Sequence, residues 1–374
     1  MRTRLIGGAA IVGALAAAAC GGGSDSSTNT PTAAGTPTAI AVQTGNPTTD
    51  VALKESGSSL LFPYLQTLAP GITQAYPNIS LAPAAGGSGK GITDALAGAS
   101  DLGGTDAYLS PGQMAQNPNF ANIPIAVSSQ DVYVNLQGVS SIKLTGDVIA
   151  KIYEGKITKW NDPAITALNS GVTLPSTAVV PVRRVDSSGD TFIFTAFLSA
   201  TNSDWSNGPS LGTTVTWPAA PGEITANGNP GMVTSCQSTP GCIAYIGISA
   251  RSSAQAANLT MASLQNKSGQ FVTANPTTMA AAVNAVATQI PTNLAQSLIY
   301  TDGAQSYPIV NYEYLVVNTQ QTEANKALAI RTFLAWAIDT SGGAASANLA
   351  KNNFIALPNS VVNKVKAGIA SIKP

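Results

Sequence analysis

Three segments of this chain join serine and glycine to the start of a helical pattern in a way that suits an anion. The first is Glu55-Ser56-Gly57-Ser58-Ser59, followed by Leu60, Leu61, Tyr64, Leu65, Leu68 and Ile72 at three-to-four spacing. The second is Gly86-Gly87-Ser88-Gly89, which follows the extended Ile79-Ser80-Leu81 and precedes Ile92, Ala95 and Leu96. The third is Asp186-Ser187-Ser188-Gly189, between Val179-Val180-Pro181-Val182-Arg183-Arg184 and the apolar Phe192, Ile193, Ala196 and Phe197. Each turn leaves amides unpaired at a helix N-terminus, beside a hydroxyl and the positive end of the helix dipole. Any one of them alone is also explained as a helix capped by serine. Three in one chain, with Arg184 four residues ahead of Ser188, point to an oxyanion.

Much other chemistry is excluded by composition. The chain has no histidine, which removes Ser-His-Asp and Cys-His catalysis and every His-ligated metal site. Only 10% of the 374 residues are charged, 18 basic against 18 acidic, and a net charge of zero argues against nucleic acid as the partner. Lys90 is not a P-loop lysine, because Ala84 stands at the first glycine position and Gly91 where a Mg²⁺-binding hydroxyl belongs. No GxSxG elbow occurs, and no cofactor motif is present.

The elements around the three turns alternate strand and helix, which predicts an α/β protein, and 374 residues predict two lobes. The N-terminus is read as an address. Arg2 and Arg4 precede an apolar run over residues 5–19, about fifteen residues and too short to span a bilayer. It ends in Ala17-Ala18-Ala19-Cys20, which resembles a bacterial lipoprotein cleavage site, although Ala17 stands where leucine is usual. Residues 1–19 are thus expected to be a signal peptide and Cys20 the lipidated residue. Loss of Arg2 and Arg4 leaves 16 basic against 18 acidic side chains. Residues 20–50, rich in Ser, Thr, Pro, Gly and Ala, are expected to form a disordered tether, with the folded region starting near Val51. Cys236 and Cys242 are the remaining cysteines, an even pair in an exported chain that reads as a structural disulfide worth roughly 2–3 kcal/mol.

Four motifs then carry a more specific likeness. ESGSSLLFPYL, DLGGTDAYLS, GDVIAKIYEGKITKWNDPAI and RRVDSSGDTFIFTAFLS, in this order and spacing, resemble the phosphate-binding lipoprotein of the bacterial high-affinity phosphate ABC transporter. The likeness runs from about Val51 to Pro374 and leans toward mycobacterial and other actinobacterial members through GMVTSCQSTPGCIAYIGIS. It implies a two-lobed periplasmic-binding fold of the type II, Venus-flytrap kind, with two crossover segments near residues 125–130 and 304–307. Lobe 1 would be residues 51–127 with 306–374, including a helix over 322–338, and lobe 2 residues 128–305. Carried over position by position, the resemblance makes Ser59 the first hydroxyl and amide donor, Leu60 the next amide, and Ser88 the second serine. Asp106 becomes the acceptor carboxylate, Arg184 the anion-pairing cation, Asp186 its support, and Ser188 and Gly189 the donors of the third turn. Asp190 stands where the family commonly has threonine, which places a second carboxylate near the anion. Arg183 is expected to face solvent.

These residues suit phosphate physically. Phosphate at neutral pH keeps a proton that a buried carboxylate can accept, whereas sulfate has none, so an acceptor at Asp106 would repel the competitor. The expected function is an extracytoplasmic phosphate receptor, lipid-anchored at the cell membrane and monomeric, which performs no catalysis and delivers its ligand to an ABC permease. Other readings are a receptor for another tetrahedral oxyanion or a phosphorylated metabolite, and a metal-dependent phosphatase-like hydrolase using Asp106, Asp186 or Asp190. A structural or adhesive surface protein that has lost its ligand is the third, against which the intact Arg184, Asp106 and serines argue.

Overall fold

A computed structural model describes residues 40–374 of the chain, so the expected signal peptide, Cys20 and most of the expected tether lie outside the described residues. Eleven strands organise the rest: β1 Val51–Gly57, β2 Ile79–Ala82, β3 Leu102–Thr105, β4 Phe120–Val134, β5 Ile142–Leu144, β6 Val180–Arg184, β7 Ile224–Ala226, β8 Cys242–Gly247, β9 Thr260–Gln265, β10 Phe271–Val272 and β11 Val310–Asn318. They run in the order β2-β1-β3-β11-β4-β8-β6-β7, with β5, β9 and β10 branching from β4. Neighbours that are not consecutive in sequence require crossovers, and helices supply them.

The 15-residue β4 ties the sheet together. Its first part pairs antiparallel with β11 as far as Val310 opposite Ser129, and from Gln130 onward it pairs with β8 instead. β1, β2 and β3 run parallel on one side of this exchange, and β6, β7 and β8 run parallel on the other. Strands buried on both faces read as apolar runs, and β8, CIAYIG, is buried at every position.

The three turns found in the sequence join parallel strands to helices as expected. β1 leads through Gly57 to the helix Phe62–Ala75, in which Pro63 occupies the first turn and Tyr64, Leu65, Leu68 and Ile72 face the core. β2 leads to the helix Ser88–Leu96, and β6 to the helix Gly189–Thr201, capped by Ser188, whose hydroxyl accepts from the Thr191 amide at 3.3 Å. All three turns stand at carboxyl ends of parallel strands, the edge at which open α/β sheets bind ligands.

Two differences from the sequence reading concern the edges of the fold. The folded region does not start at Val51: the Gly45 amide and carbonyl both bond the Thr332 hydroxyl at 3.0 Å, Arg331 Nε donates to the Gln43 carbonyl at 3.1 Å, and Asn46 Oδ1 accepts from the Asn78 amide at 3.0 Å. This segment is held by hydrogen bonds to the helix Ala324–Ala337 and to Asn78, and Val42 packs against the core. Arg183 also has a partner, Glu223 Oε1 at 2.8 Å, and is half-buried under Trp217. Cys236 and Cys242 form a disulfide, with Cα atoms 5.3 Å apart, between the end of the helix Gly228–Gln237 and the start of β8.

Candidate anion site

The turns after β1, β2 and β6 meet at the end of β3, around Asp106. That residue follows β3 directly and is 2% exposed. One of its carboxylate oxygens accepts a hydrogen bond from the Ser58 hydroxyl, and the other from Ser88 Oγ at 3.3 Å. Ser88 Oγ in turn accepts from the Asp106 amide at 3.2 Å. Burial first, and the charge of Asp190 second, push the Asp106 carboxyl up to about 7.

Arg184 ends β6 and is equally buried. Its guanidinium is held from two sides. Nε donates to Asp186 Oδ1 at 2.7 Å and Nη2 to Asp186 Oδ2, a two-point fork, while Nη1 donates to Asp190 Oδ2 at 2.8 Å. Burial works against the Asp186 carboxylate, but the hydrogen bonds and charge of Arg184 outweigh it and hold its pKa below the usual value. Asp190, buried completely, shifts the other way: desolvation raises its pKa despite Arg184. Besides Arg184 it takes Asn229 Nδ2 at 2.7 Å and Gln130 Nε2 at 3.1 Å. The side chain that stands in place of threonine is thus bound to the arginine. With three of five N–H groups committed, Arg184 keeps one on each terminal nitrogen for an anion.

Amides complete the donor set. Gly189 and Asp190 are the first two residues of their helix, and Ser88 the first of its own, so their N–H groups have no carbonyl one turn back. The turns are also pressed together: Gly89 N donates to the Ser187 carbonyl at 3.0 Å, which joins the β2 and β6 turns. Gly87, at φ 90°, allows this approach, since a Cβ there would lie 2.6 Å from the Ser187 carbonyl oxygen. At Gly189 a Cβ would collide with the Asp106 carboxylate and the Ser88 hydroxyl. Gly189→Ala is therefore expected to push these turns apart and weaken anion binding by about 1–3 kcal/mol, roughly 5- to 150-fold. Isothermal titration would check this, and unchanged affinity would show that the turns need not close this tightly.

The structure brings together Ser88, Asp106, Arg184, Asp186, Ser188, Gly189 and Asp190 as the sequence grouped them. The β1 turn differs by one residue. The hydroxyl on Asp106 belongs to Ser58, which is buried, and the Leu60 amide donates to the same Ser58 Oγ at 3.0 Å. Ser59 turns its hydroxyl to Asn229, accepting from its amide and its Nδ2, both at 3.3 Å. Four residues of the assembly escaped the sequence reading: Ser58, Gln130, Asn229 and Glu313. Glu313, in β11, is completely buried beside Asp106. A glutamate inside the otherwise uncharged run VNYEYLVVN was the available signal for it. Among the described residues no group of three or more His, Cys, Asp or Glu side chains is placed to hold a metal.

Known proteins share this sequence and fold. A family model for the PBP superfamily domain matches residues 27–341. The phosphate-binding protein PstS of Pasteurella multocida is 32% identical over 286 residues, covering 75% of this chain and 79% of that protein. PstS of Methanocaldococcus jannaschii is 33% identical over 290 residues, covering 71% and 72%. PstS 3 of Mycobacterium tuberculosis is 32% identical over 333 residues, 86% of each, so identity does not set the mycobacterial relatives apart. Among solved structures, a high-affinity periplasmic phosphate-binding protein, PfluDING, determined with bound phosphate, superposes with a TM-score of 0.68 at 19% identity, over 85% of this chain and 93% of that one. A phosphate-binding protein from Stenotrophomonas maltophilia gives 0.67 at 20% identity, with the same coverage. The fold is thus the α/β, two-lobed periplasmic-binding fold. By sequence, this chain belongs to the PBP superfamily and, within it, to the family of PstS phosphate-binding proteins.

Proposed function

We propose that this protein is an extracytoplasmic receptor for inorganic phosphate that closes on its ligand between two lobes and presents it to an ABC permease. The observation that carries the reading is a buried acceptor, Asp106, facing a buried, doubly braced cation, Arg184, with free helix-end amides between them. A ligand must then offer both negative charge and a proton, and phosphate offers both. The names of the relatives support the same ligand.

The exchange of β4 partners at Ser129 and Gln130 supports lobe 1 as residues 51–127 with 306–374 and lobe 2 as 128–305. In that division Ser58, Ser88 and Asp106 belong to lobe 1, and Arg184, Ser188, Gly189 and Asp190 to lobe 2. Ligand bound across them favours the closed state by its differential contacts, and the permease recognises that state. Ala17-Ala18-Ala19-Cys20 supports a lipid anchor, and no helix among the described residues is long and apolar enough to cross a membrane. Cys20→Ser is expected to abolish incorporation of labelled palmitate and release the protein from membranes; a labelled, membrane-held variant would refute the anchor. Import of labelled phosphate into vesicles bearing the permease should require this protein. Import that proceeds equally without it would contradict the receptor role.

A further inference from the structure

Glu313 has a division of labour between its two oxygens. Oε1 accepts from Asn311 Nδ2 at 3.1 Å and meets Ser128 Oγ at 2.5 Å, a hydroxyl that also lies 2.8 Å from Asn311 Oδ1. Oε2 is buried and receives no hydrogen bond from any donor group, and the Glu313 side chain interacts with the Asp106 carboxyl. Strand register explains the meeting. β11 runs antiparallel to β3 with Tyr314 opposite Thr105, so Glu313 comes level with Asp106, the residue after β3. The register of β11 against β4 shifts between Glu313 and Tyr314. Two carboxyls in contact inside a protein cannot both be ionised, so one proton lies between them. Oε1 has polar partners and Oε2 has none, so a proton on Oε2 directed at Asp106 satisfies the one buried oxygen that otherwise lacks a partner.

We propose that Glu313 acts in its acid form, donating from Oε2 to Asp106, and so fixes Asp106 as the acceptor that tells protonated from unprotonated oxyanions. Glu313 is then a positioning residue for ligand specificity, a role that rests on the phosphate reading above. The groups around the pair are consistent with this. Burial first and the Asp106 charge second hold the Glu313 carboxyl well above its usual value. Across the pair, Asp190 raises Asp106 while Arg184, Ser58 and Glu313 lower it. Tyr312 and Tyr314 flank Glu313 on its own strand, and Ser128 meets it from β4. Without the donor from Glu313, Asp106 takes up its own proton at neutral pH and becomes a donor to phosphate and sulfate alike.

The test compares Glu313→Gln, which keeps a donor without an ionisable proton, with Glu313→Leu, which has none. Phosphate and sulfate affinities are measured from pH 6 to pH 9, together with the infrared carbonyl band of a protonated buried carboxyl. Glu313→Gln should keep the phosphate-to-sulfate ratio within about threefold of the parent, and Glu313→Leu should narrow it at pH 7 by about tenfold or more, recovering toward pH 9 as Asp106 ionises unaided. A Leu variant with the parental ratio at pH 7, or a Gln variant that loses it, would overturn the proposal. Should the Leu variant fail to fold, the band decides: it should persist in the parent at pH 8 and vanish in Glu313→Gln, and its absence from the parent overturns the proposal. A parent that binds no phosphate but shows the band would sink the phosphate reading and leave the shared proton standing.

Discussion

Arg184→Ala should abolish tight phosphate binding. Truncating one member of a buried, hydrogen-bonded charge pair typically costs 2–5 kcal/mol or more, so the loss should be about 30-fold to several thousand-fold. Two effects add here. The ligand loses the one full positive charge in the site, and Asp186 and Asp190, both bonded to that guanidinium, are left facing the anion. The second effect predicts an order among variants. Arg184→Lys keeps the charge but cannot span both carboxylates, and it should fall between parent and alanine. Calorimetric titration checks the series, and near-parental affinity in the alanine variant would remove Arg184 from the site. Thermal melting of ligand-free protein should show the cost to the fold separately, because an unpaired Asp190 remains buried.

Asp106→Asn should act on selectivity more than on affinity. A site built to bond a substrate hydroxyl rejects an analogue lacking it by about 10⁴–10⁵. The amide removes the charge that repels sulfate and offers an N–H in its place, so the gap between the two anions should narrow by about 100-fold or more. The same change should flatten the pH dependence. In the parent, burial and the charge of Asp190 raise the Asp106 carboxyl to about 7, above its value in the unfolded chain, so below that pH the ligand-free fold takes up a proton there in addition to the one on Glu313. Stability from this group is complete below about pH 4 and declines as pH rises through 7. Asparagine has no proton to lose, so the melting temperature of Asp106→Asn should fall less between pH 5 and pH 8. Unchanged selectivity and an unchanged stability profile would together dismiss Asp106 as the acceptor.

The larger outlines of this molecule were legible because they rest on local rules. Apolar spacing after Ser58, Ser88 and Ser188 fixed three helix starts, Pro63 fell in a first turn where no amide is lost, and β6 announced itself by Val179-Val180-Pro181-Val182. Arg184 and Asp186 are paired through the family resemblance of RRVDSSGD, with only Val185 between them. What stayed hidden depends on geometry across the chain. Ser58 and Ser59 are identical in type, and only the backbone path after Gly57, at φ 151°, decides which hydroxyl reaches Asp106. Gln130 and Asn229 reach Asp190 from 60 and 39 residues away in sequence, and no local pattern ties them to it. Glu313 lies further still, brought to Asp106 by the pairing of β3 with β11.

The most direct test is to titrate phosphate into the purified protein, freed of bound anion, with and without a large excess of sulfate, at pH 8 and pH 9. Tight one-to-one binding that sulfate leaves unchanged, with a proton exchange that differs between the two pH values, is the predicted result. No binding of phosphate, or its displacement by sulfate, would contradict the claim that a buried Asp106 selects a protonated oxyanion.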